Sequence, residues 1–171
     1  MKLSDVYSIE ELVKELAITV SCGGNLLMNV GPNKDGVIVP IFEERLRQLG
    51  AWLDVNGEAI YRSNPWSHQN DSSNGDVWYT SKVSPGEGRL VYGVLLQWPQ
   101  TGGRLVVSSP QAGPQTSVSL LGWAGQSLPF EVTAGGDLAI ILPDISDSGL
   151  RSAPAWVLKF VHLSNGGNSV L

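Results

Sequence analysis

Between Gly23-Gly24 and Gly31-Pro32 the chain reads Asn25-Leu26-Leu27-Met28-Asn29-Val30. Leu26 to Met28 do not alternate with polar residues, and the flanking glycines and proline leave room for a strand but not for a helix. A short unbroken apolar run of this kind predicts a strand covered on both faces, as in parallel sheets. Such a strand needs neighbours on both sides, and each parallel neighbour requires a crossover connection of its own. One strand of this type is therefore either the end of a larger α/β domain or the single strand of a small α+β domain.

The surroundings of the run support the α/β pattern. Ser8-Ile9-Glu10-Glu11 reads as a capping box, in which the Ser8 hydroxyl accepts from the Glu11 amide and the Glu11 carboxylate from the Ser8 amide. Ile9, Leu12, Val13, Leu16 and Val20 follow at helical spacing, and Gly23-Gly24 stops the helix. Beyond the strand, Gly31-Pro32 and Asp35-Gly36 predict a loop, with Asp35 bonding its own backbone. Pro40 suits a first helical turn, and Glu43 and Glu44 suit its positive end. Phe42, Leu46, Leu49 and Leu53 predict the buried stripe of a helix over 41–55, stopped at Asn56-Gly57, with Asp54 and Glu58 flanking the stop. Helix, strand and helix in this order make one βα unit with a helix ahead of it.

Near residues 61–70 the period changes from about 3.6 to two. Leu90, Tyr92, Val94, Leu96 and Trp98 fall in phase, as do Leu138, Ile140 and Leu142, and Trp156, Leu158 and Phe160. With 77–82, 104–108, 116–120 and 128–133 they predict about seven strands, the number expected of a sandwich. Pro85-Gly86, Gly102-Gly103, Gly113-Pro114 and Gly135-Gly136 supply the turns. The predicted fold is thus an α/β fragment, one βα unit with a helix ahead of it, over 1–63, followed by an all-β antiparallel sandwich over 64–171.

Charge and composition exclude several functions. The formal charge is −5 and the 11 Lys and Arg are scattered, so neither nucleic acid nor an anionic membrane is an expected partner. No apolar run reaches the ~20 residues of a membrane helix. MKLSDVYSIEELV carries acids where a signal peptide is apolar, so no export signal is expected in this chain. One cysteine, Cys22, and two histidines, His68 and His162, exclude an internal disulfide and a histidine-rich metal cluster. Cys22 is expected to be a small buried apolar residue, and no cofactor is expected.

The stretch TVSCGGNLLMNVGPNKDG, residues 19–36, with IFEERLRQLGAWLDVNGEAIY, residues 41–61, and DVWYTSK, residues 76–82, closely resembles the retaining α-L-fucosidases. The QNDS stretch, 69–72, is most similar to their secreted, plasma-type animal branch. The resemblance implies an N-terminal (β/α) barrel and a C-terminal β-sandwich in the complete enzyme, with 25–30 as the last barrel strand and 41–55 as the last barrel helix. Asn29 and Gly31 would then lie near the C-terminal rim, where such barrels place their active sites. It further implies hydrolysis of terminal α-L-fucose from glycoproteins and glycolipids, a lysosomal or secreted location, and as partners fucosylated glycans, the rest of the barrel, or a second copy of the chain. The family's aspartate nucleophile and its acid/base carboxylate belong to earlier barrel strands, so the resemblance assigns no catalytic residue here.

The residues present agree. A retaining glycosidase needs two carboxyl groups ~5 Å apart, and each acid named above has a structural use. Asn29 either orients a loop or touches a sugar hydroxyl, or bonds neighbouring backbone. Trp98 and Trp156, in phase with aliphatic residues, are expected in the core, and Trp52 beside the stripe of the second helix. Trp66, Trp78 and Trp123 have freer contexts, and one of them is a candidate platform for a sugar if the sandwich is instead a free-standing carbohydrate-binding or interaction module. Asn70-Asp71-Ser72 is a sequon without proline in a polar stretch, making Asn70 a candidate glycosylation site. Residues 1–60 without barrel neighbours are expected to be loosely ordered, because a lone βα unit does not offset the entropy of ordering them.

Overall fold

The computed structural model describes residues 6–99, 103–124 and 127–167. Two helices come first, α1 (Ile9–Ser21) and α2 (Pro40–Asn56). Eight strands follow, β1 (Asn64–Asn70), β2 (Val77–Ser84), β3 (Gly88–Leu95), β4 (Arg104–Val107), β5 (Ser117–Leu120), β6 (Phe130–Val132), β7 (Leu138–Ile141) and β8 (Trp156–Val161). One sheet has the order β1-β2-β3-β8-β5 and the other β4-β7-β6, and every pairing is antiparallel.

The helices form as their sequences dictate. Both bonds of the capping box are made, Ser8 N–H to Glu11 Oε2 at 2.7 Å and Glu11 N–H to Ser8 Oγ at 3.2 Å. Gly23 then takes a φ of 83° as the chain leaves α1. α2 starts on Pro40 and ends at Asn56, whose side-chain amide donates to the Trp52 carbonyl. Gly57 keeps a right-handed conformation and leads into a 3-10 turn. Glycine is needed there for space, since a Cβ would lie 2.6 Å from the Tyr61 ring.

Three layers result. Trp66, Tyr79, Leu95, Ile140, Leu158 and Phe160 belong to the core between the two sheets. Leu90, Tyr92, Val94 and Val157 face the other way and bury themselves against Val13, Leu16, Leu49 and Trp52 of the helices. The larger sheet is therefore covered on both faces, and both in-phase sets of β3 are buried. Trp52, 4% exposed, donates its indole N–H to the Ala155 carbonyl at 2.9 Å. Thr80 Oγ1 donates to the Ala59 carbonyl at 2.7 Å. A third tie is polar. Glu58 accepts from Tyr92 Oη at 2.7 Å and from Lys159 Nζ at 2.9 Å. Burial alone would raise the Glu58 pKa, but hydrogen bonds from Lys159 and Tyr92 hold it below the ordinary glutamate value. Burial and then Glu58 push the Tyr92 phenol well above its usual range.

Several expectations need correction. Residues 25–30 form no strand; they run extended, and among the described residues their backbone N–H groups find no backbone partner. Among the described residues the strands pair with one another in two antiparallel sheets, and none of them pairs with this segment. The seven expected strands are found, and β1 is additional. Its polar sequence hid it, since it is an edge strand that buries Trp66 alone in its middle and tolerates Pro65 there. Cys22 is exposed, as the capping residue beyond the buried face of α1. Asn33 takes the turn role expected of Asp35, its Oδ1 accepting from the amides of Asp35 and Val37. The helices also rest on the sheet, a cover for Val13, Leu16, Leu49 and Trp52 that the sequence did not reveal.

Because the helices cover Leu90, Tyr92, Val94 and Val157, residues 64–171 produced alone expose an apolar sheet face. They are expected to bind an amphipathic dye such as anilinonaphthalene sulfonate and to self-associate in sedimentation, unlike the whole chain. Trp52→Ala in the whole chain is expected to lower stability by about 3–5 kcal/mol in urea unfolding.

Candidate functional site

The surface around 25–30 is an open apolar trough of about 310 Å³, bounded by the start of α1, the extended segment and the first half of α2. Leu26 and Met28 are half-buried, while Leu27 is 93% exposed. Tyr7, Val37, Ile38 and Leu46 are also exposed. Arg45 ties the trough together, its Nε donating to the Tyr7 carbonyl at 2.9 Å. α2 therefore has two apolar faces. Leu49 and Trp52 lie on the sheet, whereas Phe42 and Leu46, expected in the same buried stripe, line the trough instead.

Asn29 and Gly31 lie on the extended segment and both are exposed. Asn29 lines the trough. A Cβ on Gly31 would meet nothing within 4 Å, so packing within the chain does not dictate glycine there.

Glu15 lines the trough, and three acids further along the chain are taken up by local structure. Glu43 pairs with Arg47 at 2.7 Å on the exposed side of α2, Glu44 accepts from Gln48, and Glu58 belongs to the Tyr92–Lys159 cluster. Among the described residues no group of three His, Cys, Asp or Glu side chains is placed to hold a metal ion, and no helix is long and apolar enough to cross a membrane.

The sequon has a different construction. Asn70 Nδ2 donates to the carbonyls of Gly75 and Val77 at 3.0 and 2.9 Å. Asp71, 4% exposed, is a hub. Its Oδ1 accepts from the amides of Ser73 and Asn74 and from Ser73 Oγ, and its Oδ2 from Tyr79 Oη and the amides of Ser108 and Ser109. These contacts close the β1–β2 loop and fasten it to the end of β4, on the other sheet. Burial alone would raise the Asp71 pKa; the donors of Ser109, Ser73, Tyr79 and Ser108 outweigh it and hold the carboxyl below its ordinary value. Sequence reasoning saw Asp71 only as the middle of a sequon, since its partners at 108 and 109 are remote in sequence.

The tryptophans reverse their expected order. Trp66, read as one of the freer ones, is 3% exposed and packs edge-on to Tyr79. Trp78 and Trp123 are half-buried. Trp98 and Trp156, expected in the core, are half-buried at its rim. Trp52 is buried against the sheet, as its place beside the stripe implied.

Two family models match the chain. One, described as Alpha-L-fucosidase, matches residues 1–58, and the other, described as Alpha-L-fucosidase C-terminal domain, matches 69–161. The chain belongs to the α-L-fucosidase family. It is 48% identical over 162 residues to human plasma alpha-L-fucosidase, covering 94% of this chain and 34% of that protein. To the alpha-L-fucosidase of Branchiostoma floridae it is 48% identical over 157 residues, covering 92% and 33%. Human tissue alpha-L-fucosidase is 45% identical over 159 residues, covering 93% and 33%. Among solved structures, Thermotoga maritima alpha-fucosidase in complex with fucose superposes with a TM-score of 0.75 at 31% identity, over 92% of this chain and 35% of that one. The chain thus spans about a third of the length of the α-L-fucosidases it matches.

Asp71 generates a pH prediction. Its folded pKa is lowered, so its stabilisation is complete above the unfolded value and is lost as pH falls through the folded one. Asp71→Asn is expected to lower stability by about 3 kcal/mol near neutral pH. The gap from the parent chain should narrow as pH is taken below about 4, as read from urea midpoints across pH.

Proposed function

We propose that this chain is the closing part of a retaining α-L-fucosidase that removes terminal α-L-fucose from glycoproteins and glycolipids. In this reading the extended segment at 25–30 is the last strand of a (β/α) barrel and α2 its last helix. The sandwich braces the barrel. The observation that carries the reading is the trough: an unpaired apolar segment, with Leu27 bare, in the part of the chain that the α-L-fucosidase model matches. Earlier barrel units, or a second copy of the chain, would cover Leu27, Val37, Ile38 and Leu46 and pair the free backbone. Asn29 and Gly31 would then sit at the rim that faces substrate. Plasma and tissue enzymes among the relatives support a secreted or lysosomal protein.

Cleavage with retention needs a nucleophilic carboxylate and a second carboxyl group that donates and then withdraws a proton, ~5 Å apart. Glu43, Glu44 and Glu58 are engaged by Arg47, Gln48, Lys159 and Tyr92, and in this reading the chain's contribution is architectural. The chain alone is expected to give no turnover of 4-nitrophenyl α-L-fucoside. Turnover at the rate of an intact family enzyme would overturn the reading.

Asn70 is proposed as a glycan acceptor for a protein passing through the secretory route. A glycosylated Asn70 keeps one Nδ2 hydrogen, enough for one of its two carbonyl partners. Secretion from animal cells is expected to yield a species that loses one glycan mass on amidase treatment, and Asn70→Gln should abolish the shift.

A further inference from the structure

We propose that the hollow at the rim of the sandwich, beside the start of α1, is a secondary binding site for a neutral pyranose ring, distinct in place and chemistry from the trough. Its volume is about 700 Å³, within the ~300–1,000 Å³ of small-molecule sites. Trp98 and Trp156 line it together, their ring centroids 5.1 Å apart and tilted by 56°. Trp156 is fixed in orientation, since its indole N–H donates to the Leu150 carbonyl at 2.8 Å. Both rings are half-buried, anchored on the core edge while presenting part of their surface to the hollow.

The remaining wall is polar. Asp144 Oδ1 accepts from the amide and hydroxyl of Ser146, whereas its Oδ2 receives no hydrogen bond from the described residues. Arg151 forms no ion pair with them either, so its guanidinium is free to donate. A pyranose combines the matching features: an apolar C–H face that lies on an aromatic ring, and a rim of hydroxyls that donate to a carboxylate and accept from a guanidinium. The Ser146 hydrogen bonds hold Asp144 below the ordinary aspartate value, so it remains an acceptor in acidic surroundings.

Glu10 and Asp144 are two acids on one hollow, which raises cleavage as a rival. Ser146 donates to Asp144 through both its amide and its hydroxyl, which favours the carboxylate over the protonated acid that glycoside cleavage demands. The hollow holds a sugar and leaves it intact. This binding does not depend on the fucosidase reading.

The test uses the whole 171-residue chain with methyl α-L-fucoside and methyl β-D-galactoside, followed by the indole N–H signals in NMR. Saturable shifts at Trp98 and Trp156 with at least one glycoside, with a Kd on the order of millimolar, are expected. Trp98→Ala should weaken binding about tenfold or more. Arg151→Ala and Asp144→Asn, at side chains not embedded in the core, should weaken it several-fold, and Trp78→Phe should leave it unchanged. Absence of saturable shifts with both glycosides, or binding indifferent to Trp98→Ala and Arg151→Ala together, would overturn the proposal. So would release of methanol from the bound glycoside, because the site would then be a catalyst.

Discussion

The structure depends on burying β3 and β8 from both sides at once. The smaller sheet covers one face of these strands, and α1 and α2 cover the other. Neither helix nor sandwich is complete alone. The helices lack a packing surface, and the larger sheet lacks a cover for Leu90, Tyr92, Val94 and Val157. Hydrophobic burial sets the energy scale of this contact, at ~25 cal/mol per Å² of apolar area removed from water. Directional bonds set its geometry. Trp52 to Ala155, Thr80 to Ala59, and Glu58 to Tyr92 and Lys159 each join the helical part to the sandwich, through residues remote in sequence. With part of each charged group open to water, the Glu58–Lys159 pair contributes more to alignment than to stability.

The two sheets are fastened differently. Asp71 collects donors from its own loop, from Tyr79 on β2 and from the end of β4. One ionised side chain thus satisfies backbone amides that no strand pairing reaches. A buried carboxylate is tolerable only when its acceptor sites are filled, and here donors from three directions fill them. The phenol of Tyr79 is held neutral by burial and by Asp71, so it remains a donor throughout the physiological pH range.

Legibility in the sequence followed the range of the interactions. The capping box at Ser8–Glu11 and Pro40 at the start of α2 are local, and both were readable. So were β7 and β8, where Leu138 and Ile140, and Trp156, Leu158 and Phe160, recur at period two. β1 was not, because an edge strand needs only one inward side chain and leaves no periodic trace. The tryptophans were misjudged for a related reason. Trp66 has no apolar neighbours in sequence, yet Tyr79 and the sheet-to-sheet core enclose it. Trp98 is in phase with Val94, but β3 ends at Leu95, so the phase no longer fixes where its ring lies. The apolar run at Leu26–Met28 was identified as needing companions, and the structure leaves it extended beside an open trough. Asn29 was placed on that run by sequence alone, and it lines the trough.

The two open surfaces differ in what they exclude. The trough is apolar and edged by unpaired backbone, a combination that water satisfies only in part and that another strand satisfies fully. Its apolar residues come from three parts of the chain that meet there, among them Leu12 of α1, Leu26 and Met28, and Phe42 and Leu46 of α2. A local excess of hydrophobic residues on a single helix would not produce such an arrangement. α2 makes the point most directly. It already buries Leu49 and Trp52 against the sheet, so Phe42 and Leu46 constitute a second apolar face, and a helix resting on one sheet needs only one. A helix with two such faces belongs between two layers. One of those layers is the sandwich. In the reading proposed above the other is the rest of the barrel, whose strands would supply backbone groups for 25–30 as well as apolar side chains, which helix packing alone does not.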